Sequence, residues 1–446
     1  MFKNFIRDID KKLNQLFFPR NDPSKFGLRF IVIGLAIGFI FRLSMLWLVE
    51  YNFLGDAGWY INASKMILQN QNIGYFRPPM YPIFLALIEW SMGVNKLNIQ
   101  IIQMIFNLIS VLLITRISAV LYPKSSKWVF IFMLLSPFEA VYAGAFLSET
   151  ITSFFLIIGS FCIITLKNFK RFVLGGISLG FCVLTRDVYL LMIPFITVIL
   201  IIISQNYINF NIKNALIFII GACAIIAPWT YRNYVMTDNI IITSKGRLGI
   251  ELWLGTWAVN GKWGENYLPE AFNNEEEKYT IGKMPFIYEE SLFQEKSDYI
   301  NEMDKIFMSI ALNKIYENPV KVLKTYILRV PNLWMGTRFD IFLLNKQWFE
   351  PNTRYWYILK SIFWGLNFIL IILCLIGLII SLYENKKLLI LFIPLIYTAV
   401  ICFPLPSFEN RYSQPVYPFI IFYVGITIVN FSRIWIKTNQ LIKKVF

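Results

Sequence analysis

The chain has 446 residues, of which 57% are hydrophobic, 17% are aromatic and only 15% are charged. Because a typical soluble domain carries about 25% charged residues, this composition excludes a water-soluble globular protein and indicates one embedded in lipid. The formal net charge of +15 arises from short basic clusters between apolar runs, so it predicts membrane topology rather than nucleic-acid binding.

Ten nearly uncharged apolar runs follow one another along the chain. They cover residues 26–48, 97–121, 128–146, 151–166, 172–184, 188–203, 215–229, 355–382, 388–403 and 416–434. A helix of about 20 such residues crosses the bilayer core and satisfies its own backbone hydrogen bonds there. The sequence therefore predicts an all-α polytopic membrane protein with about ten transmembrane helices. Because the run at 172–184 is short, residues 172–203 form either two full spans or a re-entrant hairpin.

Basic residues mark every second connection between these runs. They occur in the amino-terminal segment, around Lys124, Lys170, Lys213 and Lys386, and again in the tail. The positive-inside rule therefore places both termini in the cytoplasm. The loop 50–96, the turns near residues 148 and 186, the long segment 231–354 and the turn 404–415 are then expected on the outer face.

The same pattern divides the chain into three regions. Residues 1–235 are expected to form a transmembrane catalytic module with a first outer loop at 50–96, residues 236–354 an extracytoplasmic cap, and residues 355–446 the carboxy-terminal transmembrane helices. Within the cap, apolar residues recur at helical spacing between 292 and 316, which predicts an amphipathic helix. They are Phe293, Ile300, Met303, Ile306, Phe307 and Ile310.

The first outer loop carries an acid and an arginine that are candidates for chemistry. Asp56 begins a predicted short helix and Tyr60 lies four residues on, so both side chains are expected to face a common space. Asp56 also suits the cap of that helix, and spacing alone leaves both roles open. Arg77 precedes two prolines that stiffen its backbone, which suits a phosphate site; the alternative is an arginine that snorkels to lipid headgroups.

Later turns on the same side hold further candidates. Glu149 lies at the outer end of the third run and is favoured over Glu139, inside that run, because it can face water. Arg186 and Arg411 each lie at the outer end of a span. For Arg186, local pairing with an acid is an equal alternative to ligand binding. Arg411 is the better ligand candidate, because prolines hold the loop 404–418 rigid.

Three further features bear on the chemistry. Arg232 is at least as well explained by local pairing as by a ligand. The stretch Lys245-Gly246-Arg247 predicts a turn that can cradle an anion, although it matches no nucleotide-binding fingerprint. The chain has no histidine, which removes the commonest general base and the commonest neutral metal ligand. No metal site and no cofactor is predicted, and acid-base chemistry falls to carboxylates, Lys or Tyr.

Taken in order, these motifs resemble the membrane glycosyltransferases of the GT-C superfamily, specifically glycosyltransferase family 39, which includes protein O-mannosyltransferases and aminoarabinose transferases. The resembling elements span nearly the whole chain. They are Asp56 with Tyr60 and Ala63, Arg77-Pro78-Pro79 with Tyr81-Pro82, Ser148-Glu149, Leu184-Thr185-Arg186, Pro228-Trp229 with Arg232-Asn233-Tyr234, and Arg411-Tyr412 with Pro415 and Pro418.

The resemblance implies a GT-C fold in the bacterial cytoplasmic membrane, an active site on the outer face and inversion at the anomeric carbon. It implies a polyprenyl-phosphate-linked sugar donor and a lipid, glycan or protein acceptor. Asp56 matches the acid that deprotonates the acceptor hydroxyl, and Glu149 matches a second-loop acid. The residues expected to bind donor phosphate or substrate are Tyr60, Arg77, Arg186 and Arg411.

A transporter or flippase for a lipid-linked or amphipathic anion is the alternative function, since cationic outer residues would bind such an anion without chemistry. Transporters often contain inverted repeats with matching broken helices. The chain shows no convincing internal repeat, which favours the transferase.

Overall fold

The computed structural model of the chain describes residues 27–51, 56–203, 210–256, 297–338, 342–347, 349–351, 353–384, 386–404 and 410–445. In chain order the α-helices are α1 (Leu28–Leu48), α2 (Asp56–Leu68), α3 (Met80–Met92), α4 (Lys96–Leu121), α5 (Ser126–Leu134), α6 (Pro137–Gly144), α7 (Glu149–Thr165), α8 (Lys170–Thr185), α9 (Met192–Ile203), α10 (Ile212–Thr237), α11 (Leu248–Thr256), α12 (Ser297–Glu317), α13 (Pro319–Met335), α14 (Arg354–Glu384), α15 (Ile393–Ile401) and α16 (Tyr417–Val445). Short 3₁₀ helices lie at Pro123–Ser125, Asp187–Tyr189, Lys386–Phe392 and Asn410–Val416.

One small sheet ties distant parts of the chain together. Its strands, β1 (Val49–Glu50) and β2 (Leu343–Leu344), pair antiparallel with Val49 opposite Leu344. This pairing fixes the end of α1 against the segment that precedes α14.

Five helical segments of the described chain are long and apolar enough to cross a membrane, which makes the protein an integral multi-pass membrane protein. They are Arg29–Leu48, Lys96–Leu121, Ile212–Thr237, Arg354–Glu384 and Asn410–Phe431. The bent pair α5 and α6 would add a sixth. Each of the ten predicted runs coincides with helical structure, but the count of ten crossings is not confirmed.

The third predicted run is not one straight helix. It breaks between α5 and α6, whose axes differ in direction by 50°. Pro137 occupies the first turn of α6, where its missing N–H costs nothing, and the Ser136 hydroxyl accepts a hydrogen bond from the Glu139 amide at 3.3 Å. A proline that starts one helix therefore ends the helix before it.

Helix α8 packs tightly between α7 and α10, although it has only 16 residues. At Gly176 and Gly180, an added Cβ would collide with backbone atoms of α10 at Phe218 and Ala222. Small residues that let helix backbones approach closely are a common packing device in membranes. Helix α9, which follows after a 3₁₀ turn, has 12 residues, so both helices are shorter than a full crossing of about 20 residues.

The predicted amphipathic helix in the region 236–354 is α12. Its apolar face, including Ile300 and Phe307, packs against Trp253 of α11 and against Phe76, which lies between α2 and α3. Asp304 turns its carboxylate to the start of α11 and accepts a hydrogen bond from the Ile250 amide at 3.0 Å. The described part of this helix begins at Ser297, so Leu292 and Phe293 lie outside the described residues.

Candidate active site

All six residues that the sequence assigns to the site line one cavity of about 570 Å³. Asp56 and Tyr60 come from α2, Arg77 from the segment before α3, Glu149 from the start of α7, Arg186 from the end of α8, and Arg411 from the 3₁₀ helix Asn410–Val416. The connections between helices thus converge from widely separated parts of the chain.

Asp56 lies between two arginines. One carboxylate oxygen is 2.5 Å from Arg77 Nη2, and the other is 3.2 Å from Arg411 Nη1. Asp56 is also the first residue of α2, but both of its oxygens face guanidinium groups rather than the amides of the first helical turn. Among the described residues, the contacts of this carboxylate are therefore those of an ion-paired group.

Arg77 is a buried residue, with a side chain only 1% exposed. Its guanidinium carbon lies 5.6 to 5.7 Å from the ring centres of Trp59, Tyr60 and Phe76, within range of cation–π attraction. This position differs from that of an arginine that snorkels to lipid headgroups. Arg77 lies beneath Asp56, whereas the side chains of Asp56 and Arg411 are 22% and 18% exposed.

Two opposing effects act on the pKa of Asp56. Burial raises this pKa, but the charges of Arg77, Arg411 and Arg247, with the hydrogen bond from Arg77, outweigh burial and hold it well below its usual range. Asp56 is therefore a carboxylate at any physiological pH. As long as both arginines contact it, Asp56 is a weak proton acceptor.

The second acid of the cavity, Glu149, pairs with Arg186. One of its oxygens is 2.7 Å from Arg186 Nη1, while the buried Oε2 has no hydrogen-bond partner among the described residues. The arginine also lies over the ring of Tyr412 at 5.6 Å. The exposed fraction does not distinguish Glu149 from Glu139, because each residue is only 2% exposed. Glu149 nevertheless lines the cavity, and Glu139 does not.

The end of α10 holds a loop against the cavity. Trp229, Thr230 and Asn233 donate side-chain hydrogen bonds to the carbonyls of residues 243, 242 and 241, at 2.9, 2.9 and 3.0 Å. Arg232 lies over the Trp229 ring at 4.5 Å and donates to the carbonyl of Ile73. The described contacts of this motif, including those of Arg232, are structural, and their effect is to fix the loop 241–247.

That loop carries the stretch predicted to cradle an anion, and it lines the same cavity. Gly246 has a φ of +91°, in the left-handed region that favours glycine, and the Lys245 amide donates to the carbonyl of Tyr75 at 3.1 Å. Arg247 pairs with Glu251 at 2.7 Å. No carboxylate of the described residues lies within ion-pair distance of Lys245. In the sequence, the pattern that indicated this turn is a glycine between two basic residues, Lys245 and Arg247.

One wall of the cavity is apolar. Val188 comes from the 3₁₀ helix Asp187–Tyr189, Leu190 and Leu191 from the turn before α9, and Ile401 from the end of α15. The cavity therefore combines a strongly cationic part with an apolar part. Within the described ranges, no three Asp, Glu or Cys side chains group in a way that holds a metal ion.

The sequence matches no protein-family model and no curated protein. In structure, the chain is similar to the archaeal oligosaccharyltransferase AglB from Archaeoglobus fulgidus in complex with an inhibitory peptide and a dolichol-phosphate, with a TM-score of 0.52 and 14% identity. The likeness covers 94% of this chain and 52% of that one, so the chain spans about half the length of the oligosaccharyltransferase. The same protein tethered to an acceptor peptide that contains the NVT sequon gives a TM-score of 0.50 and 13% identity, over 90% of this chain and 49% of that one.

ArnT from Cupriavidus metallidurans bound to undecaprenyl phosphate is more distant, with a TM-score of 0.41 and 13% identity over 90% of this chain and 77% of that one. At such identities, the likeness to the oligosaccharyltransferase establishes a shared fold. The predicted all-α polytopic membrane architecture is confirmed.

Proposed function

We propose that this protein is an inverting glycosyltransferase. It moves a sugar from a polyprenyl-phosphate-linked donor to a lipid, glycan or protein acceptor at the outer face of the bacterial cytoplasmic membrane. The observation that carries the proposal is the cavity in which Asp56 and Glu149 lie among Arg77, Arg186 and Arg411. The oligosaccharyltransferase of the same fold is in complex with a dolichol-phosphate, which supports a lipid-phosphate donor.

The reaction needs a base and a cationic site for the leaving group. The acceptor oxygen bonds to the anomeric carbon as the bond from that carbon to the phosphate oxygen breaks. Polyprenyl phosphate leaves with the electron pair, and the acceptor proton passes to a carboxylate. Because the leaving phosphate gains negative charge, cations at fixed positions stabilise the transition state most. Arg411, Arg247 and Lys245 line the cavity and meet this need.

The ion pairs of Asp56 suggest when it acts as a base. Donor phosphate competes with Asp56 for Arg411, which is the more exposed of its two arginine partners. Loss of the Arg411 contact removes one of the charges that lower the pKa of Asp56, so the carboxylate becomes a stronger proton acceptor once the donor is bound. Arg77, which is buried, stays behind Asp56 and orients it.

The apolar wall supports a lipid carrier rather than a soluble nucleotide donor. Leu191 is 57% exposed beside the cavity. The apolar helix α9 follows directly after Leu191, and the apolar helix α15 ends at Ile401 in the same wall. An isoprenoid chain that lies against these helices would keep its phosphate at the cationic part of the cavity. The polar head and the apolar tail of such a donor thus match the two parts of the site.

The test compares cell-surface lipids and glycans by mass spectrometry in cells that lack the protein, with and without complementation. Wild-type protein should restore a mass equal to one hexose or pentose, and Asp56→Asn should not. Asp238→Asn is a matched control, because Asp238 is exposed at the end of α10 and lies outside the cavity lining. If the intact lipid-linked precursor instead accumulates on the inner leaflet, the protein is a flippase and the proposal fails.

A further inference from the structure

A chain of buried polar side chains links the amino-terminal helices to the 3₁₀ helix that carries Arg411. Each member is at most 2% exposed. In order of contact the members are Arg42, Asn107, Glu139, Gln414 and Arg338. None of them lines the cavity. Their separation along the sequence means that the chain of contacts joins α1, α4, α6 and the carboxy-terminal part of the bundle.

Glu139 is the centre of this chain. Its Oε2 accepts a hydrogen bond from Asn107 Nδ2 at 2.6 Å, and its Oε1 accepts one from Gln414 Nε2 at 2.9 Å. Asn107 in turn accepts from Arg42 Nε at 2.8 Å, so this end of the chain is anchored in α1. Both carboxylate oxygens of Glu139 are thus used, one toward each half of the protein.

The other end of the chain holds the 3₁₀ helix Asn410–Val416 from several directions. Arg338 donates to Gln414 Oε1 at 3.0 Å, to Ser413 Oγ at 3.0 Å and to the Asn410 carbonyl at 3.4 Å. It also donates to Asn367 of α14 at 3.2 Å. Arg411 lies between these anchored residues, so its backbone position depends on the network.

Stability alone does not explain why these charged side chains are buried. Burying an ionised group costs several kcal/mol, and well-packed apolar residues of similar volume are often as stable or more stable. What a hydrogen-bonded network adds over apolar packing is one defined geometry, because each donor must meet one acceptor. A displacement of about 1 Å in a positioned group can cost about a hundredfold in rate.

We propose that Glu139 is a positioning residue which, through Gln414, sets the place of Arg411 opposite Asp56. The inference rests on the proposed function, in which Arg411 binds donor phosphate. It adds that the acid inside the third apolar run serves the site from a distance, without contact to substrate.

The pair Glu139 and Gln414 offers a swap that separates geometry from stability. Asn107 and Gln414 both donate to Glu139, so in Glu139→Gln the new side-chain NH₂ group must face one of these NH₂ donors. One hydrogen bond of the chain is therefore lost. In the double variant Glu139→Gln with Gln414→Glu, the glutamine at 139 accepts from Asn107 and donates to the glutamate at 414. That glutamate still accepts from Arg338, so every hydrogen bond is restored.

Binding of undecaprenyl phosphate to purified full-length protein is the readout, alongside the melting temperature. Displacement of Arg411 weakens its contact with the phosphate, so Glu139→Gln should weaken binding about tenfold, which corresponds to about 1.4 kcal/mol. The double variant should return to within about threefold of wild type. Ser118→Ala removes a different buried hydrogen bond, to Ser125 at 2.8 Å, and should lower the melting temperature without weakening binding.

Arg411→Ala separates failure of the donor-phosphate proposal from failure of the positioning inference. If it binds undecaprenyl phosphate as wild type does, the donor-phosphate proposal itself fails. If Arg411→Ala weakens binding but Glu139→Gln does not, the positioning inference is overturned. A double variant that folds yet stays about tenfold weak, or a Ser118→Ala that weakens binding as much as Glu139→Gln, overturns it as well.

Discussion

Asp56 and Arg411 are 355 positions apart in the sequence, and their side chains meet at 3.2 Å. The contact joins the start of α2 to the 3₁₀ helix before α16, so residues from the two ends of the chain meet at the cavity. Because Arg77 holds the other oxygen of the same carboxylate, Asp56 links a buried arginine to one that faces the cavity. This arrangement places an acid and an arginine next to each other, as the proposed sugar transfer from a lipid phosphate requires.

Arg77 should be more important for the order of the site than for direct contact with the donor. Removal of one partner of a buried ion pair costs about 3 to 5 kcal/mol, so Arg77→Ala should lower both the melting temperature and the turnover rate. Arg77→Lys keeps the charge but loses the planar fork, so its melting temperature and turnover rate should lie between those of wild type and Arg77→Ala. The melting temperature and the turnover rate of the two variants check this. Wild-type values for both would show that Asp56 does not depend on Arg77.

The pH dependence of stability should report the ion pairs of Asp56. Its pKa lies well below the value of about 3.9 expected in the unfolded chain, so ionised Asp56 stabilises the fold above about pH 4, and this contribution is lost as the pH falls further. The difference in melting temperature between wild type and Asp56→Asn should stay constant from about pH 5 to about pH 9 and shrink below about pH 4. A difference that changes between pH 6 and 8 would contradict the assigned ion pairs.

Gly246 and Gly93 allow a matched test of the loop 241–247. Both have positive φ, +91° and +80°, so alanine strains either backbone by about 1 kcal/mol. An added Cβ at Gly246 would also meet Ile300 at 3.0 Å and Asn301 at 3.2 Å, whereas Gly93 has nothing within 4 Å. Gly246→Ala should therefore displace Lys245 and Arg247 and raise donor KM several-fold. Gly93→Ala should leave donor KM unchanged; equal KM values for the two variants would exclude this loop from donor binding.

The proposed orientation makes a prediction that does not depend on activity. In a chain whose five native cysteines are replaced, a cysteine at exposed Gln71 or Lys245 should react with an impermeant thiol reagent in intact cells. A cysteine at exposed Lys124 should react only after the cells are opened. Labelling at Lys124 in intact cells would reverse the topology and place the cavity on the wrong side for a lipid-linked donor.

The sequence allowed the site residues to be grouped, but not paired. The basic-residue alternation assigns the loops of Asp56, Glu149 and Arg411 to one face, and the structure brings these side chains to one cavity. Which arginine meets which acid depends on how distant helices pack, and no local pattern records that. The same holds for Arg186, whose partner is Glu149 in another turn rather than a neighbouring acid.

The missed bend between α5 and α6 has a different cause. Hydropathy averaged over a window treats 128–146 as one run, because Ser136 and Pro137 are flanked by apolar residues on both sides. The dipeptide itself is a recognised helix start, with a capping serine followed by proline at the first position. The dipeptide therefore predicts the break between the two helices, whereas the averaged hydropathy does not.

The rate of sugar transfer by Asp56→Asn, measured beside that of Glu149→Gln, shows whether Asp56 is the base. Asparagine can still accept a hydrogen bond from one arginine, so the variant should insert and purify, and should bind undecaprenyl phosphate at least as well as wild type because a competing carboxylate is gone. Loss of a positioned base typically costs about 10²- to 10⁴-fold, so Asp56→Asn should transfer sugar at least about a hundredfold more slowly. Retention of most transferase activity by Asp56→Asn, with loss of activity in Glu149→Gln, would assign the base to Glu149 instead of Asp56.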